Sequence, residues 1–174
     1  MSHDDYPIGV QTEHLRPSPM RRPMNVAAVL ILAGFLGAAL TGAFGGGAQR
    51  RSETESAAAR FAVEAPAIHR NGKFFETRFI VEARADIGEA VIAVDETLWR
   101  DMTLNTLTPA PEKESFADGA FRFSFGPLKT GDTLVFKTDL QINPSLAGEN
   151  SGSVALYDGN RRLASLDLAM QARP

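Results

Sequence analysis

The sequence predicts an all-β protein: an immunoglobulin-like antiparallel β-sandwich of about 7–8 strands, preceded by one N-terminal transmembrane helix. Three observations carry this reading. Apolar and polar residues alternate with a period of two in several runs after residue 60. Turn-forming residues break that part of the chain at intervals of roughly ten residues. Finally, no charged residue occurs between Arg22 and Arg50.

Residues 1–23, MSHDDYPIGVQTEHLRPSPMRRP, end in a proline-rich stretch and show no sustained period, which predicts a disordered N-terminal tail. Residues 24–46 are apolar or small. About 20 helical residues cross the hydrocarbon core of a bilayer, so this segment reads as the transmembrane helix. A signal peptide has a shorter apolar region of about 7–15 residues. The length therefore favours a retained signal anchor, while Gly46-Gly47-Ala48 leaves cleavage open as the alternative. Arg16, Arg21 and Arg22 before the span are balanced by Arg50, Arg51 and Arg60 after it, so flanking charge does not orient it. A short tail before a single span fits an anchor with its N-terminus in the cytoplasm and the C-terminal domain on the extracytoplasmic side.

Small residues recur at four-residue spacing in two adjacent rows, Ala33, Gly37, Thr41, Gly45 and Gly34, Ala38, Gly42, Gly46. Such rows share one helix face and let another backbone approach closely. Gly34, Gly37, Ala38 and Gly42 are the predicted contact face for a membrane-protein partner or a second copy of the chain. The alternative is that Ala and Gly are simply frequent here. Residues 47–60 are polar and predict a stalk, leaving residues 61–174 for the β-sandwich domain.

Within the domain, FFETRFIVEARA (74–85) places Phe75, Thr77, Phe79, Val81 and Ala83 on one face. Glu76, Arg78, Ile80, Glu82 and Arg84 fall on the other, the pattern of a half-buried strand. FRFSF directs Phe121, Phe123 and Phe125 inward, and TLVFKTDLQI (133–142) does the same with Leu134, Phe136, Thr138, Leu140 and Ile142. Asp158-Gly159 marks a hairpin between two further runs. Weaker strands are expected at 61–64, 90–95 and 103–107. DETLWRD (95–101), opened by a capping aspartate, is the one helical candidate of the domain. INPSLAGENSG (142–152) reads as a loop, either a recognition loop on a rigid scaffold or a plain connection.

Composition excludes several functions. The net charge of −3 falls on the C-terminal part, so no basic field exists to hold a nucleic acid. The absence of cysteine excludes disulfides, thiolate metal sites and a cysteine nucleophile. His69, the one histidine of the domain, has Met102 and Met170 as its nearest equivalents in ligand chemistry, a poor metal set. His3 and His14 belong to the tail. No Gly-x-Ser-x-Gly elbow supports a Ser-His-Asp arrangement, Asp139 and Asp167 read as solvated strand carboxylates, and no phosphate loop occurs. No catalytic residue, metal site or cofactor site is therefore expected, and the chain does not read as an enzyme. Trp99 has two readings. It fills the core, or with Arg100 it forms an interface anchor or a stacking platform for a carbohydrate or cell-wall ligand.

LNTLTPAP, FRFSFGPL and QINPSLAG have the look of family signature loops. With the short tail, single span and small sandwich, the chain resembles uncharacterised bacterial single-pass envelope proteins with an immunoglobulin-like ectodomain. Fourteen arginines against four lysines agree with a GC-rich bacterial source. The resemblance implies an integral protein of the bacterial cytoplasmic membrane that serves as an interaction or assembly module, and it carries over no functional residues. A ligand-binding ectodomain is the alternative.

Overall fold

The computed structural model describes residues 21–44, 49–143 and 148–173. The chain divides into two compact units between Thr41 and Gly42.

The first unit is helix α1 (Arg21–Leu40). Val26, Val29, Leu30, Ile31, Leu32, Phe35 and Leu36 are each more than half exposed, so the helix presents apolar side chains all round. A helix of that kind belongs in the core of a large protein or in a membrane. Its end comes earlier than residue 46. The Thr41 amide donates to the Gly37 carbonyl, its hydroxyl donates to the Ala38 carbonyl, and Gly42 adopts φ +74°. Glycine enters this left-handed region without a Cβ clash and is the common residue just past a helix end. Residues 45 and 46 lie outside the described residues. At the other end, residues 21–23 of the expected tail are helical, with Pro23 in the first turn, where its missing N–H costs nothing.

The second unit is the sandwich. Its strands are β1 (Gln49–Glu55), β2 (Ala59–Pro66), β3 (Ile68–Arg70), β4 (Phe74–Ala83), β5 (Ala90–Asp95) and β6 (Met102–Thr108). There follow β7 (Lys113–Ala117), β8 (Ala120–Ser124), β9 (Thr133–Ile142), β10 (Gly148–Asp158) and β11 (Arg161–Arg173). One sheet has the order β1-β2-β4-β9-β6 and the other β3-β11-β10-β5-β8-β7. All pairings are antiparallel except that β3 runs parallel to β11. The fold class is the one the alternation predicts.

The strands number eleven among the described residues, rather than seven or eight, and the extra ones have a common cause. Residues 49–60 are not a stalk: β1 pairs with β2 from Gln49↔Pro66 to Glu55↔Arg60. Its sequence QRRSETE carries polar residues on both faces, so an apolar period cannot reveal it. β3 is three residues long, and β7 is exposed along its whole length.

The core lies between the sheets. Phe61, Val63, Phe79, Val81, Phe136 and Leu140 from the first sheet meet Ile92, Val94, Phe123, Val154 and Leu156 from the second, all buried. Phe136 is the aromatic hub, with ring centroids 5.4 Å from Phe79, 5.3 Å from Phe123 and 4.7 Å from Phe125. The inward residues expected on β4 and β9 are inward. They include Thr77 and Thr138, which face each other in register.

Two features depart from the expected local structure. Residues 95–101 form no helix: Asp95 ends β5, and two tight turns follow, closed by Leu98 N–H to Asp95 O and Met102 N–H to Trp99 O. The Asp95 carboxylate accepts from the Ser153 amide on β10 instead of capping a helix. Residues 148–152, expected as loop, are the start of β10, while 144–147 lie outside the described residues. Gly152 is a glycine because the 97–98 turn packs directly on the strand. A Cβ there would stand 2.8 Å from Thr97 Oγ1 and 3.0 Å from the Leu98 amide nitrogen.

Candidate interaction surface

Trp99 is held on the turn between β5 and β6, with its ring driven into the core. It is 7% exposed and packs on Phe79, Phe121 and Phe123 at centroid distances of 6.4, 5.8 and 5.9 Å. A ring so enclosed offers neither a stacking platform for a sugar nor an anchor for a protein, and both of those readings of Trp99 are corrected. The reason is the two-turn geometry, which folds the side chain back over β8. Arg100, next in sequence, is exposed and stands 3.8 Å from the Asp101 carboxylate.

The small-residue face is also smaller than expected. Gly34 and Gly37 lie on α1 with open space where a Cβ would be, and Ala38 is on the same helix. Gly42 has left the helix at positive φ and cannot share their face.

The aromatic row that begins at Trp99 continues outward. Phe121 on β8 is 37% exposed, and Phe116 on β7 is 55% exposed, with the two rings 5.2 Å apart at 61°. β7 is the outermost strand of its sheet, and every one of its residues is exposed. An edge strand presents unpaired main-chain donors and acceptors to solvent, which a further strand can join. Here that edge is flanked by two half-exposed phenylalanines, with Lys113 and Glu114 as charges against indiscriminate pairing. Phe116 was missed in the sequence because KESFA shows no sustained alternation. The signal that would have found it is Asp118-Gly119: both have positive φ, 54° and 73°, and close a two-residue hairpin of the primed type between β7 and β8.

The broad faces are less suited to an apolar partner. Across β1, β2 and β4, Arg51 pairs with Glu64 at 2.9 Å, Arg60 with Glu53 at 2.9 Å and Glu82 at 3.7 Å, and Arg84 with Glu55 at 2.8 Å. Hydrogen bonds from Arg60 and then Arg51 hold the Glu53 carboxyl below the usual carboxylate range. Each exposed pair adds little stability, but together they cover the face with charge satisfied within the sheet. On the other sheet, a groove of about 280 Å³ is lined by Glu89, Lys113, Arg122, Ser124 and Asn160. Its polar groups largely bond one another: Ser124 Oγ donates to Glu89 at 2.8 Å, Arg122 donates to the Gly159 carbonyl, and its guanidinium lies 4.4 Å over the Tyr157 ring. Asp139 and Asp167 belong to opposite sheets and form no carboxylate pair. Among the described residues, no group of three or more His, Asp or Glu side chains converges as a metal site.

His69 is buried on β3, its ring 4.0 Å from Phe75. Burial pushes its pKa down to about 4, opposed by a hydrogen bond with the Pro66 carbonyl, and Nε2 has no partner among the described residues. The folded state keeps this ring neutral, whereas the unfolded chain protonates it near pH 6.5. Stability is therefore full above pH 6.5 and falls as the pH drops from 6.5 toward 4, by about 2–3 kcal/mol from this group. Urea melts of the wild type and of His69→Gln at pH 7 and pH 4.5 check this. An equal pH loss in both proteins would remove His69 from the account.

No protein-family model and no curated protein sequence matches the chain. Among solved structures, it is similar to a non-cellulosomal cohesin from the hyperthermophilic archaeon Archaeoglobus fulgidus, at 9% identity and a TM-score of 0.41. That match covers 63% of this chain and 88% of the cohesin. It is also similar to the Pseudomonas fluorescens alkylpurine DNA glycosylase AlkC bound to DNA containing an abasic site analog, at 15% identity and a TM-score of 0.35, over 74% of this chain and 31% of that one. Neither likeness is strong enough to transfer a function.

Proposed function

We propose that the chain is a non-enzymatic, membrane-anchored interaction or assembly module. In this reading α1 spans the bacterial cytoplasmic membrane once and the sandwich meets a protein partner on the extracytoplasmic side. The observation that carries it is the apolar helix. Over Pro23–Leu40 the mean hydropathy is 2.0 and none of the segment is buried. Apolar surface left in water costs about 25 cal/mol per Å², so a helix of this kind calls for lipid around it. The exposed edge of β7 with Phe116 and Phe121 is the proposed contact for the partner, because it joins free main-chain groups to aromatic area.

The test is purification from membranes in mild detergent of the wild type, Phe116→Asp and the pair Gly34→Ile with Gly37→Ile. A partner contacting β7 is expected to fall at least about tenfold in yield with Phe116→Asp, since such anchors carry about 2 kcal/mol or more. Loss with the glycine pair alone would assign the contact to the span. Full retention in both variants would sink the proposed contacts.

A further inference from the structure

We propose that the end of the sandwich bearing Arg70, Lys73, Phe74 and Arg173 docks on an anionic bilayer surface. The proposal rests on the anchored reading above and adds what the domain itself touches.

These residues are brought together by topology. Arg70 ends β3 and Arg173 ends β11, and the two are register partners in the one parallel pairing. A turn follows β3, in which the Asn71 amide donates to the Arg173 carbonyl and the Lys73 amide to the Arg70 carbonyl, and Phe74 then opens β4. All four side chains are exposed, and Phe74, at 67%, is the most exposed aromatic of the described sandwich. None of the three cations forms an ion pair among the described residues. The guanidiniums of Arg70 and Arg173 instead donate to the main-chain carbonyls of Phe44 and Ala43, in the segment that leads from α1 to β1. Residues 43 and 44, which belong to the sandwich unit, therefore lie at this end of the domain.

The opposite end is built differently. There Lys129 pairs with Asp86, Arg161 with Asp158 and Arg84 with Glu55, and among the described residues no strongly exposed aromatic side chain stands beside them. Two carboxylates, Asp101 and Glu149, share the first end, and Asp101 faces Arg100. Three unmatched cations around a projecting phenylalanine fit phosphate-bearing headgroups, with the ring entering the interfacial layer. A neutral membrane offers no such complement.

The chain has no cysteine, so an introduced one is unique. Full-length Phe74→Cys, and Asn160→Cys at the β10–β11 hairpin as a control, carry a nitroxide label. They are placed in phosphatidylcholine vesicles with or without phosphatidylglycerol. Oxygen and nickel-chelate accessibility then report the depth of the label. The label at 74 is expected to enter the interfacial layer only in the phosphatidylglycerol vesicles and to leave it as salt is raised, while the label at 160 stays aqueous. Adding Arg70→Gln, Lys73→Gln and Arg173→Gln is expected to weaken docking on the order of a hundredfold, each cation contributing about fivefold. The salt titration needs no charge variant and so stands whatever those changes do to folding.

An alkaline wash separates the two readings. If the chain stays with the vesicles but label 74 is aqueous, or equally deep in both lipids, docking is overturned and the anchor stands. If the chain washes off while label 74 still enters anionic vesicles, docking stands and the anchor falls. If label 74 is shielded from both reagents whatever the lipid, the surface is a contact between copies of the chain and the lipid proposal is overturned.

Discussion

Replacing Phe136 with alanine is expected to destabilise the sandwich by about 3–5 kcal/mol, the range for deleting a buried aromatic ring. Phe136 is fully buried on β9, and its ring touches Phe79 within its own sheet and Phe123 and Phe125 toward the other. Removing it opens a cavity where the two sheets meet, and a close-packed interior cannot collapse to fill it. A domain of this size has about 5–15 kcal/mol in all, so the loss is a large share. Trp99, the single tryptophan, lies against Phe79 and Phe123 and reports the transition by fluorescence in urea. Phe116→Ala is the control, expected within about 0.5 kcal/mol because that ring is more than half exposed. A loss below about 1 kcal/mol for Phe136→Ala would show that the ring cluster is not what binds the sheets.

Placing arginine at Leu32 and Leu36 together is expected to release the chain from membranes. The twenty residues of α1 make about 30 Å of helix, the thickness of the hydrocarbon core. An arginine at the central Leu32 costs about 2.5–3.5 kcal/mol for insertion, and one at Leu36, about a turn from the helix end, adds a smaller cost, so the span partitions poorly into lipid. The wild type is expected in the pellet after alkaline carbonate extraction and the double variant in the supernatant. A wild type that washes off, or a double variant that stays, would contradict the anchor. The N-terminal sequence of the membrane-bound chain separates a retained anchor, which still carries Arg21–Leu40, from a product cut after Ala48.

The strands legible in the sequence are those with one wet face and one dry face. β4 and β9 show it: Phe79, Val81, Phe136 and Leu140 alternate with Arg78, Glu82, Lys137 and Asp139, and burial follows that alternation. β1 and β7 were illegible for the opposite reason. Edge strands touch solvent on both faces, so selection for burial leaves no period, and their placement rests on main-chain pairing to β2 and β8. The candidate surface shares that fate. Trp99 and Arg100 drew notice by residue type, yet the surface is made by Phe116, which a pattern-based reading passes over.

By itself the sequence determined what depends on neighbours along the chain: the apolar helix, the all-β class, the hairpin turns and the inward residues of the central strands. Periodicity and turn chemistry are local, so they survive without knowledge of contacts. The tertiary structure alone decided that Trp99 lies inside, where a pair of tight turns lays it over β8. It also decided that Gly42 belongs to the helix end rather than to its contact face, and that Arg70, Lys73 and Arg173 meet at one end. Those outcomes depend on which strands become neighbours, as when β3 joins β11 a hundred residues later. That choice is made by packing two sheets around one core, and no short stretch of sequence contains it.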